Sequence, residues 1–256
     1  MKLTISSLQN ARVKQLLLLE QKSQERRRQG VFVVEGAREL MHCVEAGYEV
    51  VDRYVCPELF DGTVNDDDIE VSTAVYEKIA YRGSTEGIVA VVREKRLSLN
   101  DLQLSRSPLL MVLERVEKPG NLGAILRSAD AAKADAVVVC DPLTDLYNPN
   151  LIRSSIGAIF SVPTVACTSE ECIEFLKQKQ IQILTAQLQN SNLYYDQDMK
   201  RATAIVMGTE ATGLTDQWRQ AATAHIRIPM LGKMDSLNVS VSAAILLFEA
   251  VRQRAQ

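Results

Sequence analysis

Two polar side chains near the middle of the chain, Asn121 and Arg127, are six residues apart at the start of an expected helix. They follow the turn Pro119-Gly120, and the free backbone amides of a helix start form a natural anion site. A guanidinium stays charged at any physiological pH and presents its donors in a fixed plane. Arg127 therefore suits the binding of a phosphate or of a developing oxyanion. A structural ion pair is the alternative, and these residues alone leave both open.

A second polar cluster lies between a strand and an apolar helix in the stretch 226–249, IRIPMLGKMDSLNVSVSAAILLFE. Small and polar residues in such a place indicate that the backbone approaches a ligand closely. The alternative is helix capping, because Ser236 or Asn238 can accept from the free amides at the helix start. Dinucleotide binding is disfavoured for the turn at Gly120, because GxGxxG and the acidic residue expected after it are missing.

Three segments of the chain together resemble the motifs of the SPOUT superfamily of RNA methyltransferases, specifically its TrmH (SpoU) branch. The first is 117–129, EKPGNLGAILRSA, and the second is 206–214, VMGTEATGL. The third joins Ile228-Pro229-Met230 to 236–240, SLNVS. The second segment departs from many members at Thr209, where they have asparagine. Since three motifs in the expected order form a specific signal, the chain is identified as a member of this family.

The resemblance implies methyl transfer from S-adenosyl-L-methionine to the ribose 2'-hydroxyl of an RNA nucleotide, with ribosomal RNA favoured. Methylation of transfer RNA is one alternative. A protein that binds RNA in ribosome assembly without catalysis is another. The intact motif residues argue against loss of catalysis. The resemblance also implies a homodimer, because the family builds its active site with the knotted faces of two subunits.

Residue roles follow from the same resemblance. Arg127 matches the main catalytic residue, and our hypothesis is that it clamps the adjacent phosphate and stabilises the forming alkoxide while phosphate or water takes the proton. Asn121 assists it, Glu210 orients the site, and Asn238 holds the loop and the substrate. The residues expected at the cofactor are Gly208, Ile228, Met230, Ser236 and Leu237, with backbone groups prominent among the contacts.

Metal chemistry and export find little support in the sequence. The five cysteines, Cys43, Cys56, Cys140, Cys167 and Cys172, show neither CxxC nor Cys/His metal spacing. They are expected to be reduced thiols of a cytoplasmic protein. No metal is expected, because a sulfonium already activates its methyl group. The chain also lacks an apolar run of about 18 residues and an apolar signal segment, so neither a membrane span nor export is expected.

Charge is distributed unevenly although the net charge is only −3. Residues 1–30 are basic, whereas residues 31–70 carry eleven acidic side chains against two basic ones. A local basic face can bind phosphates whatever the total charge. Arg26, Arg27 and Arg28 are therefore candidate RNA contacts, with an ordinary solvated helix as the alternative. Arg153, in a segment that resembles another family motif, is a further candidate, with helix packing as its alternative.

The elements that must position these residues alternate between strands and helices, which predicts an α/β protein. We expect a small N-terminal α/β domain over 1–92, resembling RNA-binding ribosomal proteins, a polar linker over 93–107 and a methyltransferase domain over 108–256. The second domain should hold a mostly parallel sheet, and the resemblance alone adds a deep trefoil knot. Helices are predicted over 7–24, 37–46, 74–80, 121–132, 148–160, 169–179, 215–222 and 243–251, and strands over 31–34, 50–56, 87–92, 109–113, 136–140, 164–167, 181–186, 202–207 and 224–228.

Overall fold

The computed structural model describes residues 3–80, 86–209 and 212–255. The chain forms two compact units, Met1–Lys95 with Asp145–Ser161, and Arg96–Thr144 with Val162–Gln256. The strands are β1 Thr4–Ile5, β2 Val31–Glu35, β3 Val50–Val55, β4 Ile69–Val71, β5 Ile88–Arg93, β6 Leu109–Glu114, β7 Ala136–Cys140, β8 Thr164–Cys167, β9 Gln182–Ala186, β10 Asn192–Leu193, β11 Thr203–Met207 and β12 Ala224–Arg227. The α-helices are α1 Ala11–Gln21, α2 Ser23–Gln29, α3 Ala37–Glu45, α4 Thr73–Ile79, α5 Pro119–Ala131, α6 Pro149–Ser155, α7 Ala158–Ser161, α8 Ser169–Gln178, α9 Asp216–Ala221 and α10 Val239–Arg254. In the described part of the chain, no helix has the length and apolar character needed to cross a membrane.

The first unit contains a five-stranded mixed sheet in the order β1-β4-β3-β5-β2. The single helix predicted over 7–24 is wrong, because Lys22 is extended and separates α1 from α2. Arg26 explains this break. Its guanidinium bonds the carbonyls of Leu19 and Glu20 at the end of α1, at 2.5 and 3.0 Å, and the Asp145 carboxylate at 2.7 Å. Free carbonyls at a helix end need such partners.

The segment 145–161 belongs to the first unit. The second unit is therefore not one continuous block, as the methyltransferase domain predicted over 108–256 would be. Tyr147 stacks on Phe32 with ring centroids 4.2 Å apart. Such aromatic burial holds the segment to β2. The single helix predicted over 148–160 is also wrong. Ile156 and Gly157 have φ of 54° and 82°. This left-handed conformation ends α6 before α7 begins.

The second unit is built on a seven-stranded sheet in the order β10-β12-β9-β11-β6-β7-β8. Every pairing in it is parallel, which confirms the predicted mostly parallel sheet. The predicted linker over 93–107 needs correction, since β5 extends to Arg93 and residues from 96 onward belong to this unit. The side chains of Leu99, Leu102 and Leu104 pack against its core, so the polar composition of the segment concealed three apolar anchors.

The residue that caps α8 lies directly before the helix predicted over 169–179. Thr168 caps the helix and forms a capping box with Glu171. The Glu171 carboxylate accepts from the Thr168 backbone N–H at 2.7 Å. Ser169, the first residue of α8, is buried. Its hydroxyl donates to Asp141 Oδ2 at 2.6 Å and accepts from the indole of Trp218 at 3.0 Å. The Ser169 side chain therefore links α8 to Asp141, which directly follows β7, and to Trp218 of α9.

Glu20 gives the first unit an expected pH dependence. Burial, with a smaller contribution from Glu35, raises the pKa of the Glu20 carboxyl to about 8. A raised folded-state pKa stabilises the fold fully below the unfolded value near 4.5 and loses that contribution as the pH rises through about 8. We expect the unfolding free energy of the wild type to fall relative to Glu20→Gln between pH 5 and 9, by roughly 4 kcal/mol. Urea unfolding of both proteins across this range measures the difference, and parallel curves would contradict the prediction.

Candidate functional site

The carboxyl ends of the parallel strands of the second unit define one edge of its sheet. The segments after β6, β9, β11 and β12 lie at this edge. Ligands of open α/β sheets bind outside the carboxyl ends of the strands, where the order of connection reverses. The order β9-β11-β6-β7 contains such a reversal between β11 and β6.

A cleft of about 640 Å³ opens at this edge. Its walls come from residues 186–189 at the end of β9, 207–209 at the end of β11 and 226–228 at the end of β12, together with the segment leading into α10. Ligand sites for drug-sized molecules span about 300 to 1,000 Å³. The structure brings all five predicted cofactor residues to this cleft: Gly208, Ile228, Met230, Ser236 and Leu237.

Gly208 occupies the most constrained position in the cleft. A Cβ at this residue would lie 2.6 Å from the amide nitrogen of Leu214 and closer still to the carbonyl group of Gly213. Both groups belong to the backbone, so no side-chain rotation can relieve the clash. Gly213 has a φ of 68°, and its amide donates to the Thr209 carbonyl at 3.1 Å to close the turn. The predicted catalytic residue Glu210 lies outside the described residues.

A smaller cavity of about 170 Å³ adjoins Gly208 and is lined by residues 115–118 after β6, by Asn121, Thr209 and Val239. Here the first and third motifs meet, because the Asn238 amide donates to Asn121 Oδ1 at 3.2 Å. Asn238 Oδ1 also accepts from the amide of Ser240 at 2.9 Å and caps α10. Of the two predicted caps, Asn238 fills the role and Ser236 does not, since the Ser236 hydroxyl donates to Asp235.

Arg127 lies on the exposed surface of α5, outside the walls of both cavities. Its guanidinium makes no hydrogen bond or ion pair with any residue that the structure describes, in contrast to Arg26. The structural ion pair considered for Arg127 is therefore not formed among these residues. An exposed guanidinium without a partner in the described ranges is available to an external anion.

The four arginines predicted to contact RNA differ in their surroundings. Arg26 is 4% exposed and bound to Asp145, so the prediction that it contacts RNA is wrong. The Arg28 side chain is exposed and pairs with Glu25, whereas Arg27 is exposed and pairs with no residue of the described ranges. Arg153 is partly exposed, 3.4 Å from the Glu35 carboxylate. Consecutive residues of a helix point in different directions, and here Arg26 faces inward while Arg27 and Arg28 face solvent, which composition alone does not reveal.

Glu114 is a residue of the site region that the sequence analysis missed. It ends β6 and is 1% exposed. Its carboxylate accepts from the Thr215 amide at 2.9 Å and from the Thr215 hydroxyl at 2.6 Å. This contact holds Thr215, which directly follows the second motif, to β6, the strand before the first motif. A single acidic residue closing the apolar run LLMVLE was the available signal.

We expect Glu114→Ala to lower the unfolding free energy by about 1 to 3 kcal/mol, because it leaves the partly buried Thr215 amide without this acceptor. Glu114→Gln keeps an acceptor oxygen and the side-chain volume, so its loss should be smaller. Urea denaturation of the three proteins gives the comparison. Equal stability of Glu114→Ala and the wild type would show that the contact contributes nothing.

Solved structures similar to this chain share both units. An RNA 2'-O ribose methyltransferase aligns with a TM-score of 0.84 at 39% identity, covering 99% of this chain and 100% of that one. The SpoU methyltransferase AviRb from Streptomyces viridochromogenes, solved in complex with AdoMet, aligns with a TM-score of 0.89 at 29% identity, covering 97% and 99% of the two chains. The fold is that of the SpoU class of RNA methyltransferases.

Sequence comparison leads to the same class. The SpoU rRNA Methylase family matches residues 108–248, and the MRM3-like substrate binding domain matches residues 10–90. A 23S rRNA (uridine(2479)-2'-O)-methyltransferase of Streptomyces viridochromogenes is 30% identical over 96% of this chain and 91% of its own length. The chain therefore belongs to the SpoU rRNA methylase family, as its three motifs predicted.

Proposed function

We propose that this protein transfers a methyl group from S-adenosyl-L-methionine to the 2'-hydroxyl of a ribose in ribosomal RNA. The observation that carries the proposal is the cleft at the carboxyl edge of the parallel sheet, where the second and third motifs form the walls. The first motif adjoins it through the bond between Asn121 and Asn238. The 23S rRNA methyltransferase of Streptomyces viridochromogenes favours ribosomal over transfer RNA as the substrate.

The cleft suits the proposed cofactor in size and in wall chemistry. The turn at Gly208 leaves no room for a side chain and so presents backbone groups, which are fixed donors and acceptors with little entropy to lose. Ile228, Met230 and Leu237 add apolar wall, and Ser236 adds a hydroxyl. When bound, S-adenosyl-L-methionine supplies a methyl group already activated by a sulfonium. No metal is needed for that activation.

Arg127 activates the ribose 2'-hydroxyl for methyl transfer in this proposal. A hydroxyl is a poor nucleophile until its proton leaves, and a guanidinium remains charged, so it cannot serve as the base. In our proposal Arg127 clamps the phosphate beside the target ribose and stabilises the developing alkoxide, and the phosphate or water accepts the proton. In this proposal the RNA contacts α5, which carries both Asn121 and Arg127. Asn121, Glu210 and Asn238 orient the hydroxyl.

A homodimer is part of the proposal. Apolar side chains of α10 and of the loop before it are exposed, with Val241 at 47%, Phe248 at 48%, Met234 at 76% and Leu231 at 95%. Val241 and Phe248 are seven residues apart and share one helix face. Large apolar side chains exposed on neighbouring segments are typical of a protein interface.

We expect Phe248→Glu to shift the protein from dimer to monomer, because the interface would have to bury an unpaired charge. Leu143→Glu is the matched control, since Leu143 is 53% exposed but lies outside α10 and the preceding loop. Sedimentation velocity of both variants decides the matter. A wild type that sediments as a monomer at micromolar concentration would contradict the dimer.

Two further parts of the proposal concern the units themselves. The first unit binds the RNA substrate, supported by its match to a substrate binding domain and by the exposed Arg27 and Arg28 and the partly exposed Arg153 of the same unit.

In the second unit, the segment after β12 passes through the loops at the carboxyl edge as a trefoil knot. The shared lining of Val239 with residues 115–118 and 208–209 supports that path. Cytoplasmic localisation is part of the proposal and rests on the proposed ribosomal substrate.

Mapping 2'-O-methyl groups in RNA from cells with and without the gene tests the function. We expect loss of methylation at one or a few positions of ribosomal RNA and recovery with the wild-type gene. A loss confined to transfer RNA would replace the proposed substrate. Unchanged methylation, together with RNA binding by the purified protein, would instead indicate a non-catalytic assembly factor.

A further inference from the structure

Three cysteine thiols of the second unit meet at the carboxyl edge of its sheet. Cys140 and Cys167 are directly opposite each other at the ends of the paired strands β7 and β8, and Cys172 approaches from α8. All three Sγ atoms lie within 4.8 Å of one another. Sequence patterns did not indicate this cluster, because the first two thiols are far apart along the chain and no pair has CxxC spacing.

The spacing of the three sulfurs is close to that of a metal site. Metal to sulfur bonds of about 2.3 Å place the sulfurs of a trigonal or tetrahedral site about 3.8 to 4.0 Å apart. The observed group needs movements of only a fraction of an ångström to reach that spacing. Side-chain rotation on strand ends and on one helix can supply such movements.

The surroundings also suit a cation. Cys140 and Cys172 are buried, whereas Cys167 is partly exposed and leaves a route from solvent to the cluster. The carboxylates of Asp141 and Glu171 are close enough to act electrostatically on Cys167. Negative charge beside three thiols favours a bound positive ion. Packing of small apolar side chains explains the burial of two thiols, but it does not require all three sulfurs to converge.

We propose that Cys140, Cys167 and Cys172 form a binding site for a soft, thiophilic d¹⁰ cation, Zn²⁺ or Cu⁺. Thiolates select these ions over hard cations such as Mg²⁺. Each coordinating thiol releases its proton to solvent on binding. Cu⁺ would be complete with three sulfurs, and Zn²⁺ would take a water as fourth ligand on the exposed side of Cys167. The ion would cross-link β7, β8 and α8, independently of the proposed methyl transfer.

Cadmium titration of the full-length protein tests the site, since Cd²⁺ gives an ultraviolet sulfur-to-metal charge-transfer band. The protein is first reduced with a phosphine, and all five thiols are counted in denaturant. We expect the band to saturate at one Cd²⁺ per chain, and Zn²⁺ or Cu⁺ to displace the probe. Binding should also raise the thermal unfolding midpoint, because a ligand that binds only the folded state stabilises it.

Cys167→Ser is the decisive variant, because its partly exposed position permits folding, which circular dichroism verifies. It should bind Cd²⁺ at least about ten-fold more weakly than the wild type. Cys56→Ser is the matched control and should bind like the wild type, since the Cys56 thiol already has the Glu58 carboxylate and the Thr73 hydroxyl as hydrogen-bond partners. A missing band, equal affinity in Cys167→Ser, displacement by neither ion, or a disulfide within the cluster of the reduced protein would overturn the proposal.

Discussion

Arg127→Lys is expected to lower kcat for RNA methylation by about 100-fold or more while leaving cofactor affinity unchanged. Lysine keeps the positive charge but loses the planar, bidentate donor geometry that a phosphate clamp requires. Arg127 contributes to neither cavity wall, so the variant leaves the cleft intact. Single-turnover methylation of the RNA substrate identified by mapping, together with calorimetry of the cofactor product, separates the two effects.

A matched control for this variant is Arg106→Lys. Arg106 is also exposed and lies in the same unit, but outside the three motifs. Its replacement should leave the rate within about two-fold, as expected for a surface site away from the chemistry. If Arg127→Lys retained activity within a few-fold of the wild type, positive charge alone would suffice for catalysis. The proposed bidentate phosphate clamp would then be wrong.

Gly208→Ala is expected to weaken binding of S-adenosyl-L-homocysteine, the demethylated product, by at least about 100-fold, because one added methyl group forces the turn out of place. The added Cβ would lie far inside van der Waals contact with the Gly213 carbonyl group. Displacement of Gly208 against Gly213 also moves the wall that Thr209 and Leu214 give to the cleft. Calorimetric titration measures the loss, and the thermal unfolding midpoint shows how much of the fold is disturbed.

Gly120→Ala provides the comparison for Gly208→Ala. Gly120 lies in the first motif at the start of α5, and a Cβ there meets nothing within 4 Å. Alanine also favours a helix by about 0.5 to 1 kcal/mol over glycine. Cofactor binding should therefore be unchanged and stability equal or higher. Equal binding by Gly208→Ala and Gly120→Ala would show that the close approach at Gly208 is irrelevant to the ligand.

Regular apolar strands were the most predictable part of the fold. The predicted strand over 136–140 coincides with β7, since a valine-rich run bounded by turns has few alternatives in a buried parallel sheet. The predicted strand over 164–167 coincides with β8. Helix interruptions were not predictable. The break before α2 depends on Arg26 reaching Asp145, 119 residues away along the chain. The break at Gly157 places its backbone against the ring of His42.

The residues of the candidate site were predictable where they belong to a sequence motif. They were not predictable where only the folded chain brings them together. The motif residues around Gly208 and Leu237 do line one cleft. In contrast, the exposure of Arg127, the burial of Arg26 and the network of Glu114 depend on which helix face or strand end meets another element. The cluster of Cys140, Cys167 and Cys172 is of the same kind, because sequence separation does not give the distance between thiols on paired strands.

The most direct test of the central claim is calorimetric titration of the wild-type protein and Gly208→Ala with S-adenosyl-L-homocysteine. The structure predicts saturable binding of one molecule per chain to the wild type and its loss in the variant, with Gly120→Ala binding normally. A folded wild type that takes up no S-adenosyl-L-homocysteine and no S-adenosyl-L-methionine would contradict a cofactor site at the carboxyl edge of this sheet.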